Sequence, residues 1–418
     1  MDIWSFIWIL IALLVWPFGY KPIIFLLIIS AIFQGSAFFS FGSTNITLFF
    51  GLEMLVILRL LLPTQASGVP KFNDKTSLNI FLIIIIFWLY TFFATNFFSG
   101  MRVYSTLADS FESNYITRGL PLEWSKKNFS ELIFLSTNLI LSLLIYKRKE
   151  YITKDFFIKS IFISAFIFSI VSFFWQFYKP FYTFISLIFF NNPGWSITVL
   201  SGVEDRMAST FPEPSYAGLY ISTLALPFLF REKFIFKIFG IVMLYWGYLN
   251  FSSTFFVGLI LSIVLIFLYY KQNNLKNSTL IFISTLFFIL LFLYSFNSLF
   301  IEYFSSKMLS GSGEIRNDSN HFAIEAFINS YFIGVGIGSI RASSLLLSML
   351  ANFGLVLFIY TLYVVYKLFS LRKEKDSKFL FMLLLIAFFA SFSSIPDYSL
   401  PFLWILIFAN IASSKINK

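Results

Sequence analysis

Long apolar runs separated by short polar segments recur along the whole chain and limit what it can fold into. A helix needs about 20 apolar residues to cross the hydrocarbon core of a bilayer. The sequence offers thirteen runs that approach or reach this length: 3–18, 22–41, 46–62, 78–97, 129–146, 156–178, 214–230, 234–250, 253–270, 279–299, 344–367, 379–395 and 399–413. They lack the alternation of a β-barrel strand. We therefore predict an all-α, polytopic integral membrane protein with twelve or thirteen transmembrane helices, since the first or the last run can instead lie in the interface.

The composition agrees with a single transmembrane domain over residues 1–418. Only 12% of the residues are charged and 58% are hydrophobic, whereas about a quarter of the residues of a soluble domain are charged. The chain has no cysteine and one histidine. These counts exclude disulfides, thiolate chemistry and histidine-rich metal sites. We expect no metal and no cofactor.

The basic residues orient the chain. Lys and Arg cluster in short segments that all fall on one side of the predicted topology, at 147–150, 231–233, 271–277, 372–378 and 415–418. By the positive-inside rule this side is cytoplasmic. The net charge of +10 is then a topology signal and not a sign of a nucleic-acid partner.

Three long polar loops lie on the opposite side, at about 98–128, 179–213 and 300–343. They form the predicted active-site face. Within them, 181–190 and 322–332 have the amphipathic character of helices that lie in the membrane interface.

The segment 204–218, EDRMASTFPEPSYAG, concentrates polar residues at the start of a predicted membrane helix. Pro214 suits the first turn of that helix, which places Glu213 near the N-cap. The helix dipole favours a carboxylate there. Two interpretations remain open: Glu213 is a structural cap, or it takes a proton from a hydroxyl at the membrane surface.

Arginines from two outer loops form a second candidate group. Arg206 precedes the helix just described, while Arg316 and Arg341 lie before and after the run 334-GVGIGS-339. The planar arginine fork binds phosphate bidentately and stays charged, so arginines facing one cavity would clamp a diphosphate. The alternative interpretation for each arginine is that it is a solvated loop residue with no ligand. The glycine run lies in no βαβ unit, so it predicts close backbone approach to a ligand or helix and not a nucleotide site.

Two other titratable residues are ambiguous. His321 is a catalytic base, a phosphate donor or a solvated surface residue. Glu53 lies inside the third predicted span, where a carboxylate is costly and therefore a functional candidate. It could equally pair with a polar group of the bundle, and we assign it no chemistry.

The order of these motifs resembles the O-antigen polymerase (Wzy-type) and O-antigen ligase superfamily. Arg206 and 211-FPEPSYAG-218 are followed by SG(x)₂R, from Ser312 to Arg316, and then by the glycine run. The resemblance covers about 200–370. The ligases carry a histidine after the glycine run, whereas 339-SIRASSLLLSMLANFG-354 has none. This departure favours a polymerase.

The resemblance implies a metal-independent glycosyltransferase on the outer face of the bacterial inner membrane. Donor and acceptor would be undecaprenyl-diphosphate-linked oligosaccharides, with membrane lipid around their tails and a chain-length regulator protein as a further expected partner. An O-antigen ligase and a lipid-linked oligosaccharide flippase remain the alternatives. A flippase would need charges along a path through the bilayer and inverted repeats.

Roles for individual residues follow from the resemblance together with the chemistry above. Arg206, Arg316 and Arg341 would bind the donor diphosphate. Glu213, or His321 as second choice, would deprotonate the acceptor hydroxyl. The sugars would contact a set of three residues near these groups: Ser215, Tyr216 and Trp195.

Overall fold

Helices make up almost all of the regular structure. The computed structural model describes residues 3–41, 44–63, 68–104, 119–192, 206–272, 311–370 and 375–413. The helices in these ranges are α1 (Ile3–Val15), α2 (Tyr20–Ser30), α3 (Leu48–Leu61), α4 (Lys75–Phe97), α5 (Lys126–Lys147), α6 (Lys154–Phe177), α7 (Lys179–Phe189), α8 (Pro214–Leu229), α9 (Phe234–Asn250), α10 (Ser253–Gln272), α11 (Gly311–Asn329), α12 (Leu345–Ser370), α13 (Lys375–Ser391) and α14 (Pro401–Ala412), with a 3-10 turn at Trp16–Phe18.

Within the described residues, strands are confined to two small antiparallel pairs. β1 (Ala37–Phe41) pairs with β2 (Thr44–Thr47), and β3 (Arg102–Val103) pairs with β4 (Leu120–Pro121). Four of the described helices are long and apolar enough to cross a membrane, namely Lys75–Phe97, Lys126–Lys147, Lys154–Phe177 and Leu345–Tyr366. Shorter apolar helices accompany them. The prediction of an all-α, polytopic membrane protein is confirmed.

The predicted spans coincide with helices, with one correction. α2 ends at Ser30, so the second half of the predicted span 22–41 is not helical. Its 11 residues cover about 16 Å, roughly half the hydrocarbon core. The chain turns at Gly35. The hydroxyl of the next residue, Ser36, donates to the Phe189 carbonyl at 2.9 Å. The predicted span 279–299 lies outside the described residues.

Short helices occupy the interior of the bundle. α8 is buried from Pro214 to Phe228 and packs on α9 and α10, while α14 packs on α5, α6 and α13. Gly240 lets α9 approach α8 closely, because a Cβ there would lie 2.6 Å from the Leu229 nitrogen. Small residues at such crossings are typical of membrane helices. By contrast, α4 exposes most of its apolar surface, as a lipid-facing helix does.

Both segments that the sequence predicts as interfacial helices are helical, with altered bounds. α7 covers 181–190 except its last residue, and it exposes Phe181, Phe184 and Leu187 on one face. The predicted helix 322–332 instead runs from Gly311 to Asn329. It ends before Tyr331 and Phe332 because both have left-handed φ values, 53° and 64°.

The two ends of the helix bundle carry different groups. At one end Arg231, which follows α8, pairs with Asp376 of α13 at 2.9 Å, and Lys147 of α5 pairs with Asp74. Arg231, Asp376 and Lys147 lie in segments that the sequence predicts to be cytoplasmic. The opposite end holds the starts of α5, α8 and α14 and the end of α13. The charge pattern of the sequence predicts that this second end faces outward.

Glu53 lies fully buried on α3. Its Oε2 accepts a hydrogen bond from the Thr137 hydroxyl at 3.2 Å, whereas Oε1 has no hydrogen-bond partner among the described residues. Of the two interpretations offered above, the pairing with a polar group of the bundle is the one that this contact supports.

Candidate functional site

The start of α8 forms one wall of the candidate site. Glu213 occupies the N-cap position and Pro214 the first turn, as predicted. The Glu213 carboxylate makes no capping hydrogen bond; instead it accepts one from the Ser215 hydroxyl at 3.2 Å. Asn250 anchors this segment by donating to the carbonyls of Pro214 and Met207, at 2.8 and 2.6 Å. The backbone around Glu213 is therefore fixed, and the Glu213 carboxylate does not cap the helix.

The glycine run forms a second wall, and its backbone is held from several sides. The Asn352 side chain accepts from the amides of Ser339 and Ile340 at 3.0 and 3.1 Å. Asn128 of α5 donates to the Ile337 carbonyl at 2.8 Å, and Thr91 of α4 accepts from the Ile337 amide at 3.2 Å. These bonds fix the segment that carries Arg341.

Left-handed backbone explains the glycines. Gly334, Gly336 and Gly338 have φ values of +90°, +99° and +78°, which only glycine adopts readily. A Cβ at Gly338 would lie 2.9 Å from the Lys127 carbonyl, and one at Gly334 would lie 2.5 Å from the Gly354 nitrogen. The predicted close approach to neighbouring helices is confirmed.

Arg341, Asp397 and Tyr216 meet between these walls. The Arg341 Nη2 lies 3.6 Å from Asp397 Oδ2 and donates to the Tyr216 hydroxyl at 3.5 Å. Tyr216 in turn donates to Asp397 Oδ2. The three residues come from the segment just after the glycine run, from α8 and from the turn between α13 and α14. One arginine, one carboxylate and one phenol thus form a closed polar triangle.

Several carboxylates lie around the Arg341 guanidinium. Asp397 is the largest influence and raises the pKa of the Arg341 guanidinium, an effect that burial opposes. The nearby carboxylates of Glu213 and Glu131 raise this pKa further. About a third of the Arg341 side chain, 32%, remains exposed. Arg341 is therefore a permanent cation that an anionic ligand can reach.

A second charged group lies beside the triangle. The Lys127 ammonium contacts Glu131 Oε1 at 2.6 Å, and the Ser399 hydroxyl donates to Glu131 Oε2 at 2.7 Å. Arg341 and Asp397 of the triangle and Lys127 and Glu131 of this group line one small depression of about 20 Å³, which we call the charged cavity. Its lining residues are Lys127, Glu131, Gly338, Ser339, Ile340, Arg341, Ser348, Pro396, Asp397 and Tyr398.

The other predicted site residues in the described ranges differ in burial. Arg206 is half-buried just before α8, and Arg316 is half-buried near the start of α11. The triangle contains Arg341 and neither of these two. The Tyr216 ring is only 3% exposed, so it offers no face for a sugar, and its hydroxyl alone reaches the site. Trp195 lies outside the described residues.

His321 is a surface residue of α11 and not a loop residue. Its side chain is 69% exposed and its Nδ1 lies 3.6 Å from Glu325, one helical turn away. This placement supports the solvated interpretation of His321 and leaves Glu213 as the better candidate for the base.

Sequence reasoning missed Asp397, Glu131 and Lys127. Asp397 stands in a short turn, 394-SIPDYSLP-401, between two predicted spans. A carboxylate flanked by prolines at the outer end of two membrane helices was a usable signal. Glu131, one turn inside its predicted span, was another. No group of three or more His, Asp or Glu residues within the described ranges could hold a metal ion.

The fold and the charged cavity define a class: a polytopic helical membrane protein with a mixed cation–carboxylate site at one end of its bundle. No protein-family model, no curated protein and no solved structure matches the chain. The arguments for function therefore come from the residues and contacts described above.

Replacing Gly338 tests whether the glycine run is a rigid support. Gly338→Ala should lose about 1–2 kcal/mol from the left-handed φ and a further 1–3 kcal/mol, roughly, from the clash with the Lys127 carbonyl. Gly100→Ala is the matched control, because its φ is +82° but a Cβ there meets nothing within 4 Å. Thermal unfolding in detergent, followed by tryptophan fluorescence, measures both. Equal losses would contradict the proposed close packing of Gly338.

Proposed function

We propose that the protein is a polysaccharide polymerase of the O-antigen or capsule type. It would be a metal-independent glycosyltransferase that joins undecaprenyl-diphosphate-linked repeat units on the outer face of the bacterial inner membrane. The observation that carries the proposal is the contact between the start of α8, which bears Glu213, and Arg341, which follows the glycine run. The Arg341 guanidinium donates to the hydroxyl of Tyr216, three residues after Glu213 on α8, at 3.5 Å.

The reaction needs a base and a group that stabilises a leaving diphosphate. Glu213 takes the proton of the acceptor hydroxyl, whose oxygen attacks the anomeric carbon of the donor glycan. The bond between that carbon and the diphosphate oxygen breaks, and the electron pair leaves with the polyprenyl diphosphate. Arg341 binds the charge that develops on this oxygen. The diphosphate is a good leaving group, so no general acid is required.

Asp397 and Tyr216 position the arginine. Asp397 pairs with one edge of the guanidinium, and Tyr216 bridges the carboxylate and the arginine. Arg341 is thereby pre-oriented, which is how electrostatic stabilisation becomes effective in an active site. Additional binding of the diphosphate by Arg206 and Arg316 stays a prediction.

The apolar setting suits lipid-linked substrates. The site lies at the ends of α5, α8 and α14, so a polyprenyl tail can enter the bilayer while its diphosphate stays at the surface. The Wzy-type resemblance of the segments around Arg206, Glu213 and the glycine run supports the same substrate class. A flippase is disfavoured because, among the described spans, the fully buried carboxylate of Glu53 has no cationic partner in contact with it.

Deleting the gene and separating surface glycans on a gel tests the function. Loss of a polymerase leaves single repeat units attached to their carrier. Bare carrier with accumulating lipid-linked polymer would indicate a ligase, and the absence of both products would indicate a flippase. Either of these two patterns overturns the proposal.

A further inference from the structure

Two sets of residues at the charged cavity are built alike, since each consists of a cation, a carboxylate and a hydroxyl. In one set a cation, Arg341, contacts a carboxylate, Asp397, which accepts a hydrogen bond from a hydroxyl. In the other, Lys127 contacts Glu131, which accepts from Ser399. The turn between α13 and α14 supplies a residue to each set. The two sets are therefore held in a fixed relation by one backbone segment.

The second set has no part in the leaving-group chemistry proposed above. Glu131 is 7% exposed, yet it lines the cavity together with Lys127, whose side chain is 35% exposed. An ion pair between residues one helical turn apart, with a partly exposed lysine, contributes little to stability. Lys127 lies in the first turn of α5, where the helix dipole disfavours a cation. Stability alone therefore explains this arrangement poorly.

A glycosyl transfer needs a second substrate beside the donor. We propose that Lys127, Glu131 and Ser399 form the subsite that binds the terminal sugar of the acceptor glycan, an inference that rests on the proposed polymerase function. The Glu131 carboxylate accepts hydrogen bonds from sugar hydroxyls. The Lys127 ammonium has three donors and contacts Glu131 through one of them, so it can also donate to sugar oxygens. Ser399 fixes the carboxylate.

The arrangement orders the two substrates. The donor diphosphate is bound at Arg341 and the acceptor sugar at Lys127 and Glu131. The cavity has a volume of about 20 Å³, so both substrates approach from outside it, where the Arg341 and Lys127 side chains are 32% and 35% exposed. Gly338, Ser339 and Ile340 line the same cavity. An acceptor hydroxyl held there lies close to the donor's anomeric carbon, beside the start of α8 that carries Glu213 and contacts Arg341 through Tyr216. The three residues are binding residues, since none of them exchanges a proton in the reaction.

Steady-state kinetics in proteoliposomes separate acceptor binding from donor binding. The substrates are a lipid-diphosphate-linked repeat unit as donor and a lipid-linked repeat unit blocked against donating as acceptor. Lys127→Met and Glu131→Gln should each raise the acceptor KM roughly 10- to 100-fold, the effect of one lost charge-assisted hydrogen bond. The donor KM, and kcat at saturating acceptor, should stay close to the wild-type values.

Two further variants complete the experiment. Lys126→Met removes the neighbouring cation of α5, which is exposed and does not line the cavity, and it should leave both KM values unchanged. Ser399→Ala is a milder change that keeps both charges, and it should raise the acceptor KM by a smaller factor. It keeps the test decisive if Glu131→Gln fails to fold.

The outcomes distinguish failure of the subsite from failure of the function. An active protein in which Lys127→Met changes the donor KM alone assigns this lysine to the diphosphate and overturns the acceptor subsite. If the acceptor KM of an active protein is unchanged by Lys127→Met, Glu131→Gln and Ser399→Ala, these three residues have a structural role only. A wild-type protein that forms no glycosidic product overturns the polymerase function itself, and the subsite with it.

Discussion

Replacing Glu213 by glutamine should slow chain extension by roughly 100- to 10,000-fold, the usual contribution of a positioned general base. Glutamine has nearly the same shape and can still accept the hydrogen bond from Ser215, but it cannot take a proton at neutral pH. The helix start should survive, because the Glu213 side chain makes no capping hydrogen bond and Asn250 anchors the segment. The rate of polymer formation in proteoliposomes, with thermal unfolding as the check on folding, measures this effect.

The matched control for this variant is Glu123→Gln. Glu123 is an exposed carboxylate shortly before α5, at the same end of the bundle, and it does not line the charged cavity. Its replacement should leave the rate unchanged. If Glu213→Gln polymerises at the wild-type rate, Glu213 is not the base. The carboxylates that then remain near Arg341 are Asp397 and Glu131.

Much of the fold was predictable because membrane helices are specified locally. A run such as 234–250 is apolar apart from Lys237 and its last residue, Asn250, and α9 has the same limits. The failure at 22–41 has a local and a tertiary cause. The run is interrupted by 34-QGS-36, where the chain turns, and there the hydroxyl of Ser36 donates to the Phe189 carbonyl and the Ala37 amide donates to Asn191. No local pattern reveals partners so distant in sequence.

The candidate site divides in the same way. Glu213 could be placed because Pro214 marks a helix start, and the glycine run could be interpreted because only glycine tolerates its backbone. The contact partners within the site could not be predicted from the sequence. Tyr216 and Asp397 are 181 residues apart, and Ser399 and Glu131 are 268 apart. Which carboxylate pairs with which cation is decided by how α5, α8 and α14 begin at one end of the bundle.

The same reason explains why the arginines were harder to rank than the carboxylates. From sequence, Arg206, Arg316 and Arg341 are equivalent cations in outer loops. The fold distinguishes them, since only the Arg341 backbone is continuous with the segment that Asn352 and Asn128 hold. A rigid backbone beneath an arginine is what a site for a developing charge requires.

Replacing Arg341 by alanine should therefore cost about 3 kcal/mol of transition-state stabilisation, within the range of a hydrogen bond to a charged group. A loss of that size slows the reaction roughly a hundredfold. Arg341→Lys should recover little, because a point charge cannot pair with both Asp397 and the diphosphate as a planar fork does. Arg102→Ala is the control, since Arg102 is an exposed arginine on β3 that does not line the charged cavity.

A double variant then decides what Asp397 contributes. Asp397→Asn alone should slow polymerisation, because Arg341 loses the carboxylate that orients it. If positioning is its whole role, Arg341→Ala combined with Asp397→Asn should be no slower than Arg341→Ala alone, since residues that act through one another are not additive. Rates for the wild type, both single variants and the double variant in the same proteoliposomes supply the comparison. A double variant slower by the product of the two single effects would mean that Asp397 acts on the substrate independently of Arg341, and the triangle would then be two separate contacts with the donor.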